Sequence, residues 1–351
     1  HRVCHVIPDY PSSRNRPAKF ALLKDGRAIS GDEQFQTHSK IALRPKEGEG
    51  DFTTQYMIKK LARNIHHLLK CTGQRYSDIV AVGVAWPGAV VNNQIAGTSN
   101  TLREMTNLID NQGRLSEKRF DSIRKLPHMM STEFGVPTYL INDGNVLAFY
   151  HSVRLGKKCV LSVQLGTSVA GGYVDAYGSA DYLMELGRIC LDMGRDAPRH
   201  TFTLIRGLAR ECATQSALRR LMIGAGINEH RNEPVTRHNA GIIADDILQS
   251  GSRPSEINVV KRFAAELGAS LGHLVTEVCE HCCVEHVVLS GGLTQEGSKF
   301  GDLLVQAATD LLKMTEPTIA LERFGDGNGN SAESSRTLGA TAAAYYASYQ
   351  R

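Results

Sequence analysis

The chain has 351 residues, of which 42% are hydrophobic, and its 40 basic and 36 acidic residues give a net charge of +4. This length exceeds the usual size of a single hydrophobic core, so we expect two lobes. No apolar run approaches the roughly 20 residues of a membrane span, and the first residues lack the apolar centre of a signal peptide. Because the basic residues are scattered, we expect a cytoplasmic protein with neither nucleic acid nor a membrane as partner.

The first 30 residues predict an antiparallel meander. Residues 2–7 alternate between apolar and polar, and the stretches 19–24 and 27–30 flank the tight-turn pair Asp25-Gly26. The polar stretch Asp9-Tyr10-Pro11-Ser12-Ser13-Arg14-Asn15-Arg16-Pro17 separates the first of these strands from the second.

A helix, a strand and a long polar loop follow the meander. Apolar residues recur at three- and four-residue steps over 51–71, which predicts an amphipathic helix, and 79–85 is a fully apolar strand. The turn Trp86-Pro87-Gly88-Ala89 ends that strand. The polar segment 92–111 is too long for an ordinary connection and is typical of a binding loop. Within it, Asn100 is either a ligand contact or the start of an Asx turn.

A second apolar strand runs directly into a helix at Asn142-Asp143. The stretch 136–141 predicts a buried strand, and 146–150 carries apolar residues at helical spacing. Asp143 therefore lies at the carboxyl end of a strand, where α/β proteins usually place ligands, and the helix dipole favours its charge. Asp143 is a candidate general base, unless Asn142 or Asp143 merely caps the helix.

Glycine-containing turns end the later apolar strands. The strand 159–165 is followed by Gly166-Thr167-Ser168 and by a second strand with the pair Gly171-Gly172. The strand 287–290 ends in Gly291-Gly292. Such turns expose backbone N–H groups without side-chain bulk, so they can hold a phosphate.

A carboxylate, Glu185, lies in the largely apolar run 182–193. Burying it unpaired is expensive, so it is either functional or paired, with Arg188 as the nearby partner. The remaining periodicity predicts a strand over 318–321 and helices over 115–134 (interrupted near Pro127), 200–222, 240–250, 255–279, 300–312 and 337–349.

The eight cysteines are dispersed, several of them within apolar patterns, which is typical of reduced core thiols rather than a disulfide framework. The segment Cys279-Glu280-His281-Cys282-Cys283-Val284-Glu285-His286 carries enough soft ligands for zinc. We interpret it as core thiols, because no second remote pair completes a recognisable zinc site and adjacent cysteines cannot easily both face one ion.

With these motifs in order, the chain resembles the ROK family of sugar kinases and repressors, within the actin-like ATPase and hexokinase superfamily. The match runs from about residue 79 to residue 346 and rests on Pro87-Gly88, Asn100, Asn142-Asp143, Gly166-Thr167 with Gly171-Gly172, Met184-Glu185-Leu186-Gly187 and Gly291-Gly292. It implies an α/β, two-lobed actin-like ATPase (ribonuclease H-like) fold with a ligand cleft between the lobes. The implied lobes are 1–140, on which a closing helix 337–349 packs, and 141–336, which carries the nucleotide motifs.

The resemblance also implies a role for each motif. Asp143 is expected to act as general base on a sugar hydroxyl as it attacks the γ-phosphate of ATP, with Mg²⁺ between the phosphates. The expected substrate-binding residues are Gly88, Asn100, Asn142, Glu185, Arg188 and His200. The expected nucleotide-binding residues are Asp9, Ser12, Arg14, Gly166, Thr167, Gly291 and Gly292.

The chain departs from the family pattern in three places. The family's first phosphate loop, Asp-x-Gly-Gly-Thr, falls on the stretch 9–17, where the glycines are missing; either its Ser and Arg side chains bind phosphate instead, or ATP is not used normally. Arg188 replaces a zinc-binding His and no cysteine cluster follows before Cys212, so no structural zinc or other metal is expected there, and Arg188 is expected to recognise an anionic group. No helix-turn-helix pattern precedes the first strand, so a repressor is not expected.

The leading hypothesis is an ATP-dependent kinase of a hydroxyl on a sugar or sugar-like small molecule. The alternative, favoured by the 9–17 stretch, is a non-kinase enzyme or sensor that binds a sugar phosphate in the same cleft. An actin-type assembly scaffold would not need the polar residues Asn142, Asp143 and Glu185. A homodimer is expected, because dimers are the commonest assemblies and the family resemblance suggests one.

Overall fold

The structure is a computed structural model that describes residues 2–8, 17–19, 22–24, 27–28, 41–42, 53–71, 73–86, 88–96, 117–180, 182, 184–200, 203–227, 233–250, 252–324, 342–343, 346–347 and 349–350. The chain forms two compact units. Unit 1 comprises His1–Tyr150 and Arg336–Arg351, and unit 2 comprises His151–Ser335. The boundary lies inside a helix, between residues 150 and 151, whereas the sequence placed it between 140 and 141. Among the described residues, no helix is long and apolar enough to cross a membrane.

Unit 1 contains a mixed sheet. Its strands are β1 (Arg2–Pro8), β2 (Pro17–Lys19), β3 (Leu22–Lys24), β4 (Arg27–Ala28), β5 (Ile41–Ala42), β6 (Ile79–Trp86) and β9 (Thr138–Asn142), with a separate two-stranded ribbon of β7 (Val90–Val91) and β8 (Gln94–Ile95). The strands β1, β3 and β4 pair antiparallel in that order, which confirms the predicted meander. β2 pairs antiparallel with β1 and β5. β6 is parallel to both β1 and β9.

Helices cover the sheet of unit 1 with apolar faces. They are α1 (Thr54–Cys71), α2 (Glu117–Arg124), α3 (Leu126–Phe134) and the start of α4 (Asp143–Leu155). The apolar positions of α1 recur at helical spacing and are buried in one cluster with β6, as amphipathic helices require. Thr53 caps α1, since its Oγ1 accepts the N–H of Tyr56 at 3.1 Å. The interruption predicted near Pro127 is confirmed: Lys125 separates α2 from α3, and Pro127 lies in the first turn of α3.

The end of the chain packs on β6. The described residues between 342 and 349 are helical, and Ala342, Ala343 and Ala347 are fully buried. A Cβ at Gly83 would overlap the carbonyl oxygen of Ala343, so only glycine allows this approach. The ring of Phe149, on the second turn of α4, lies edge-on to Tyr346, with 5.4 Å between ring centroids. This contact is the physical reason that α4 belongs to unit 1 as far as residue 150.

Unit 2 contains a four-stranded sheet in the order β11–β10–β12–β13. The strands are β10 (Val160–Leu165), β11 (Val169–Val174), β12 (His286–Ser290) and β13 (Ala320–Arg323), and the helices are α5 (Ala209–Cys212), α6 (Gln215–Gly224), α7 (Ala240–Gln249), α8 (Pro254–Cys279) and α9 (Lys299–Thr315). β10 and β11 form the predicted hairpin, and β12 is parallel to β10 and β13. Gly268 lets α8 pack directly against α9, because a Cβ there would lie 2.7 Å from that of Ala307.

One predicted element of unit 2 is wrong in its first half. The sequence predicts a helix over 200–222, but α5 begins only at Ala209. The preceding chain folds back on itself through antiparallel bridges of Cys190 with Leu208 and of Arg199 with Arg206. Gly207 has a φ of 63° and would overlap the Asp192 carbonyl if it carried a Cβ, so this region is built around a glycine turn.

We expect Gly83→Ala to lower the free energy of unfolding by about 1–3 kcal/mol, because the new methyl group would push the Ala343 backbone off β6. Urea unfolding followed by circular dichroism measures this change. Gly224→Ala is the control, since Gly224 is helical and a Cβ there meets nothing within 4 Å. Its stability should be unchanged or slightly raised. Equal losses in the two variants would mean that the end of the chain is not seated on Gly83.

Candidate substrate and nucleotide sites

Unit 1 brings three of the predicted site residues together at the carboxyl ends of β6 and β9. The strands are parallel with Trp86 opposite Asn142, so both strands end at the same edge of the sheet. The Nδ2 of Asn142 donates to the carbonyl oxygen of Gly88 at 3.0 Å. Gly88 has a φ of 143°, which favours glycine. Asp143 follows Asn142 as the first residue of α4.

Asn142 is the N-cap of α4. Its Oδ1 accepts the N–H groups of Gly144 at 2.9 Å and of Asn145 at 3.2 Å. The bonds to Gly144 and Asn145 use both acceptor positions of the Asn142 oxygen, and the bond to Gly88 uses one of its two N–H groups. The other N–H is the group left for the predicted substrate contact. The cap that the sequence assigned to either Asn142 or Asp143 is therefore made by Asn142.

Asp143 lies in the first turn of α4 and is partly exposed. One of its carboxylate oxygens is 3.0 Å from the backbone nitrogen of Gly144. The position combines a strand end, a helix N-terminus and access to solvent, and the helix dipole stabilises a negative charge there. The arrangement can hold an ionised carboxylate where it can accept a proton.

Asn93, which was not among the predicted site residues, fixes β9. Its Nδ2 donates to the carbonyl of Thr138 at 2.9 Å, and its Oδ1 accepts the N–H of Leu140 at 2.6 Å. The Asn93 amide thus pairs with β9 as a short strand would. Its φ of 58° is uncommon outside glycine, but Asn tolerates it better than most residues. A local Asn-Asn turn at 92–93 was the available sequence signal.

Unit 2 brings the predicted nucleotide-binding glycines together. β10 and β12 are parallel with Gln164 opposite Ser290, so the Gly166-Thr167 turn and the Gly291-Gly292 turn leave the sheet at the same end. Gly291 has a φ of 103°, and a Cβ there would overlap the carbonyl oxygen of Leu165. Only glycine fits at this position, and the resulting surface is backbone without side-chain bulk.

Two helix N-termini adjoin these glycines, and sequence reasoning missed the residue that links them. Gln215, the first residue of α6, donates its N–H to the Gly166 carbonyl at 2.9 Å. Its Oε1 accepts the N–H of Gly241, the second residue of α7, at 3.5 Å. A Cβ on Gly292 would lie 2.6 Å from its Nε2. Helix N-termini favour anions, so the arrangement suits a phosphate group.

The sequence does not reveal Gln215, because its periodicity predicts one continuous helix over 200–222. The signal that could have located it is Thr214, whose Oγ1 accepts the N–H of Ala217 at 3.1 Å and caps α6. Ser216 was missed for the same reason. Its hydroxyl donates to the Thr167 carbonyl at 2.9 Å and ties the tip of the hairpin to α6.

A turn that carries Glu185 and Arg188 docks on the same hairpin. A Cβ at Gly171 would overlap the Leu186 side chain, and one at Gly187 would lie 2.9 Å from the Val169 carbonyl, so two glycines permit the contact. Glu185 and Arg188 form an ion pair at 3.9 Å, with 55% and 71% of their side chains exposed. The ion pair with Arg188 is one of the two alternatives predicted for Glu185. The pair lies in solvent, because Leu186 and not Glu185 fills the apolar contact. Such an exposed pair adds at most about 1 kcal/mol to stability.

His200 is buried in the same part of unit 2, with 5% of its surface exposed. Its Nδ1 accepts the N–H of Thr203 at 3.1 Å. Burial lowers the pKa of His200, the charges of Arg210 and Arg188 lower it further, and Glu211 opposes them. Burial and the two nearby guanidinium groups therefore both favour the neutral imidazole over the imidazolium.

Four predicted site residues, Asp9, Ser12, Arg14 and Asn100, lie outside the described residues. The structure thus groups Gly88, Asn142 and Asp143 in unit 1. In unit 2 it groups Gly166, Thr167, Gly291 and Gly292, and separately it places Glu185 and Arg188 near His200.

Solved structures with the same fold cover nearly the whole chain. A ROK hexokinase from Thermus thermophilus has a TM-score of 0.64 and 19% identity, with 100% of this chain and 99% of that chain covered. A ROK family glucokinase from Streptomyces griseus, solved with glucose and AMPPNP, has a TM-score of 0.62 and 16% identity, with 99% and 100% covered. A ROK family transcriptional regulator, a homolog of the E. coli MLC protein, has a TM-score of 0.65 and 14% identity, with 99% and 78% covered.

These similarities confirm an α/β protein with the two-lobed, actin-like fold. The model of the ROK family matches residues 32–342, so the chain belongs to the ROK family. This confirms the resemblance inferred from the motifs. No curated protein sequence matches the chain at a significant level.

We expect Asn142→Ala to lower the free energy of unfolding by about 1–2 kcal/mol, because α4 loses its cap and the Gly88 carbonyl loses its donor. Asn142→Ser is the matched control, since serine can cap a helix but has no amide to reach Gly88. We expect the serine variant to be more stable than the alanine variant by about 1 kcal/mol in urea unfolding. If both variants lost the same stability, the cap would not be made by this side chain.

Proposed function

We propose that this ROK family protein transfers the γ-phosphoryl group of ATP to a hydroxyl of a sugar or sugar-like small molecule, with Asp143 as general base. In this reaction Asp143 accepts the proton of the acceptor hydroxyl while that oxygen attacks phosphorus, and ADP leaves. The relatives solved as a hexokinase and as a glucokinase with glucose and AMPPNP support this class of reaction.

The observation that carries the proposal is that Asn142, and not Asp143, caps the helix α4. Asn142 caps α4 and holds the Gly88 turn, so Asp143 is not needed as the cap. The helix dipole favours the charged form of a partly exposed carboxylate at this position, and a carboxylate within reach of a hydroxyl can take its proton.

The glycine turns of unit 2 are the proposed phosphate-binding element. Gly166, Gly291 and Gly292 form a backbone surface without side chains next to the N-termini of α6 and α7, where a phosphate would meet backbone N–H groups and favourable dipoles. Phosphoryl transfer needs positioning and charge neutralisation more than covalent help, so backbone donors and a base suffice on the protein side. Mg²⁺ bound to the nucleotide would supply further neutralising charge.

We further propose that the acceptor carries an anionic group. Arg188 stands where the family pattern has a zinc-binding His. Burial is the main reason that the pKa of His200 is lowered, and the charges of Arg210 and Arg188 lower it further. A guanidinium binds carboxylate or phosphate through paired hydrogen bonds. A sugar acid or sugar phosphate is therefore a better acceptor candidate than a neutral hexose.

The alternative is a non-kinase enzyme or a sensor that binds a sugar phosphate. The stretch 9–17, where the family pattern has a glycine-rich phosphate loop, contains no glycine, and this favours the alternative. One of the similar solved structures is a ROK family transcriptional regulator, which also supports considering a sensor.

We expect Asp143→Asn to lower kcat by about 10²–10⁴-fold, because the amide cannot accept the hydroxyl proton. The measurement is a coupled assay of ADP release with neutral hexoses and their carboxylate and phosphate derivatives as acceptors. The helix loses one favourable charge, so stability should fall by less than about 1 kcal/mol. Asp121→Asn is the control, because Asp121 is exposed and forms an ion pair with the exposed Arg124 at 3.6 Å.

Retained turnover in Asp143→Asn would refute the role of the carboxylate. Calorimetry with a non-hydrolysable ATP analogue separates the two functions independently of turnover. Saturable binding supports the kinase, whereas binding of sugar phosphates without binding of nucleotide at millimolar concentration selects the alternative.

We expect Gly292→Ala to weaken nucleotide binding by about tenfold or more, because the methyl group would displace the Gln215 amide, which lies beside this turn and bonds to the start of α7. Stability should change little, since the new Cβ meets only the amide end of the flexible Gln215 side chain. Calorimetric titration with the ATP analogue measures the affinity, and Gly224→Ala, in the same unit, is the control. Unchanged affinity in Gly292→Ala would mean that this turn does not contact the nucleotide.

A further inference from the structure

Two cysteines and a glutamate that are remote in sequence meet at the amino ends of β10 and β12. Cys159 precedes β10, and Cys283 and Glu285 precede β12. The two Sγ atoms and a carboxylate oxygen all lie within 4.8 Å of one another. We call these three residues the thiol–carboxylate cluster. The predicted phosphate-binding turns follow the opposite, carboxyl ends of the same strands, so the cluster is separate from them.

Hydrogen bonds hold the backbone of the cluster in place. The Cys159 carbonyl accepts the N–H of Glu285 at 2.9 Å and that of His286 at 3.3 Å. The hydroxyl of Tyr173 donates to the Cys283 carbonyl at 2.6 Å. These bonds connect three strands around one point, so the ligand atoms are brought together by the fold and not by flexible side chains alone.

Cys159 adopts a backbone conformation that non-glycine residues seldom adopt. Its φ is 54°, and its side chain is buried, with 3% of its surface exposed. Left-handed conformations at such residues are often found at functional positions. The conformation directs a buried thiol toward Cys283 and Glu285, both of which are exposed. One side of the cluster is therefore packed in the protein and the other is open to solvent.

The donor set is one that zinc prefers. Zn²⁺ binds thiolate at about 2.3 Å and carboxylate oxygen at about 2.0–2.2 Å, so ligand atoms of a tetrahedral site are about 3.5–4 Å apart. Ligand atoms already within 4.8 Å of one another reach this geometry through small side-chain rotations. Two thiolates and one carboxylate would also bring three negative charges, enough to compensate the dication.

We propose that the thiol–carboxylate cluster binds one Zn²⁺ ion through Cys159, Cys283 and Glu285, with water as the fourth ligand on the solvent side. The ion would tie the start of β10 to the start of β12. This site lies away from the position after Glu185-Leu186-Gly187 where the family pattern has zinc.

The structure also explains why the sequence did not reveal the cluster. Cys279 and Cys282 pack against the hydrophobic core, and burial raises the pKa of Cys279 to about 12, as the core-thiol interpretation of this segment predicts. Cys283, the neighbour of Cys282, instead lies on the surface. Its partner Cys159 is the remote ligand whose absence from the local pattern argued against zinc.

The test is a Zn²⁺ titration of the reduced, metal-free full chain in competition with a chromophoric chelator. We expect one equivalent of Zn²⁺ to bind, and Co²⁺ substitution to give the thiolate-to-cobalt charge-transfer absorption and the intense visible bands of a tetrahedral site. These readouts need no substrate and no turnover, so they are independent of the proposed kinase activity.

Variants assign the ligands. We expect Cys283→Ser to lower the affinity more than about tenfold and to weaken the charge-transfer band, because one thiolate is lost. Cys283 is exposed, so this variant should fold. Cys159→Ser should lower the affinity to a similar extent. Glu285→Gln should lower the affinity while keeping the charge-transfer band. Cys282→Ser, one residue away, is the matched control and should bind Zn²⁺ as the unmodified chain does.

Three outcomes would overturn the proposal. The first is the lack of one-equivalent binding by the reduced chain. The second is unchanged affinity in Cys283→Ser. The third is an equal loss in Cys283→Ser and Cys282→Ser, which would indicate a general effect on the segment.

Discussion

The candidate catalytic position depends on the hydrogen bonds of the Asn142 side-chain amide. One side chain caps α4 through Gly144 and Asn145 and holds the Gly88 turn through its donor. β6 and β9 end side by side, with Trp86 opposite Asn142. This single amide therefore fixes both the turn that follows β6 and the helix that follows β9. The adjacent carboxylate, Asp143, is left at a helix N-terminus, where its charge is stabilised.

Unit 2 reaches a comparable result with glycines. Gly291 lies against Leu165, Gly171 against Leu186 and Gly187 against the Val169 carbonyl. At each of these contacts a side chain in place of the glycine hydrogen would push the two segments apart. Gln215 then links the turns to the starts of two helices. In unit 1 a polar side chain organises the candidate catalytic position, whereas in unit 2 glycines without side chains shape the candidate phosphate-binding turns.

Sequence reasoning predicted the longer strands and most helices, and it singled out Gly88, Asn142 and Asp143, which the structure brings together. These features depend on local periodicity and on turns with strong residue preferences. It failed at 203–208, where a glycine turn at Gly207 and two backbone bridges take the place of the predicted helix. It also failed wherever residues met only through the fold: Asn93 on β9, Gln215 between two glycine turns, and Cys159 beside Cys283. Contacts of this kind leave no periodic signal.

The position of Asn93 has a consequence for self-association. Its amide occupies the backbone groups of Thr138 and Leu140 that are the natural docking points for an added strand. Among the described strands, β9 pairs with β6 alone, so this amide protects the outer edge of the sheet. A second copy of the chain cannot extend the sheet there without displacing Asn93, and any stable oligomer is therefore expected to form through another surface.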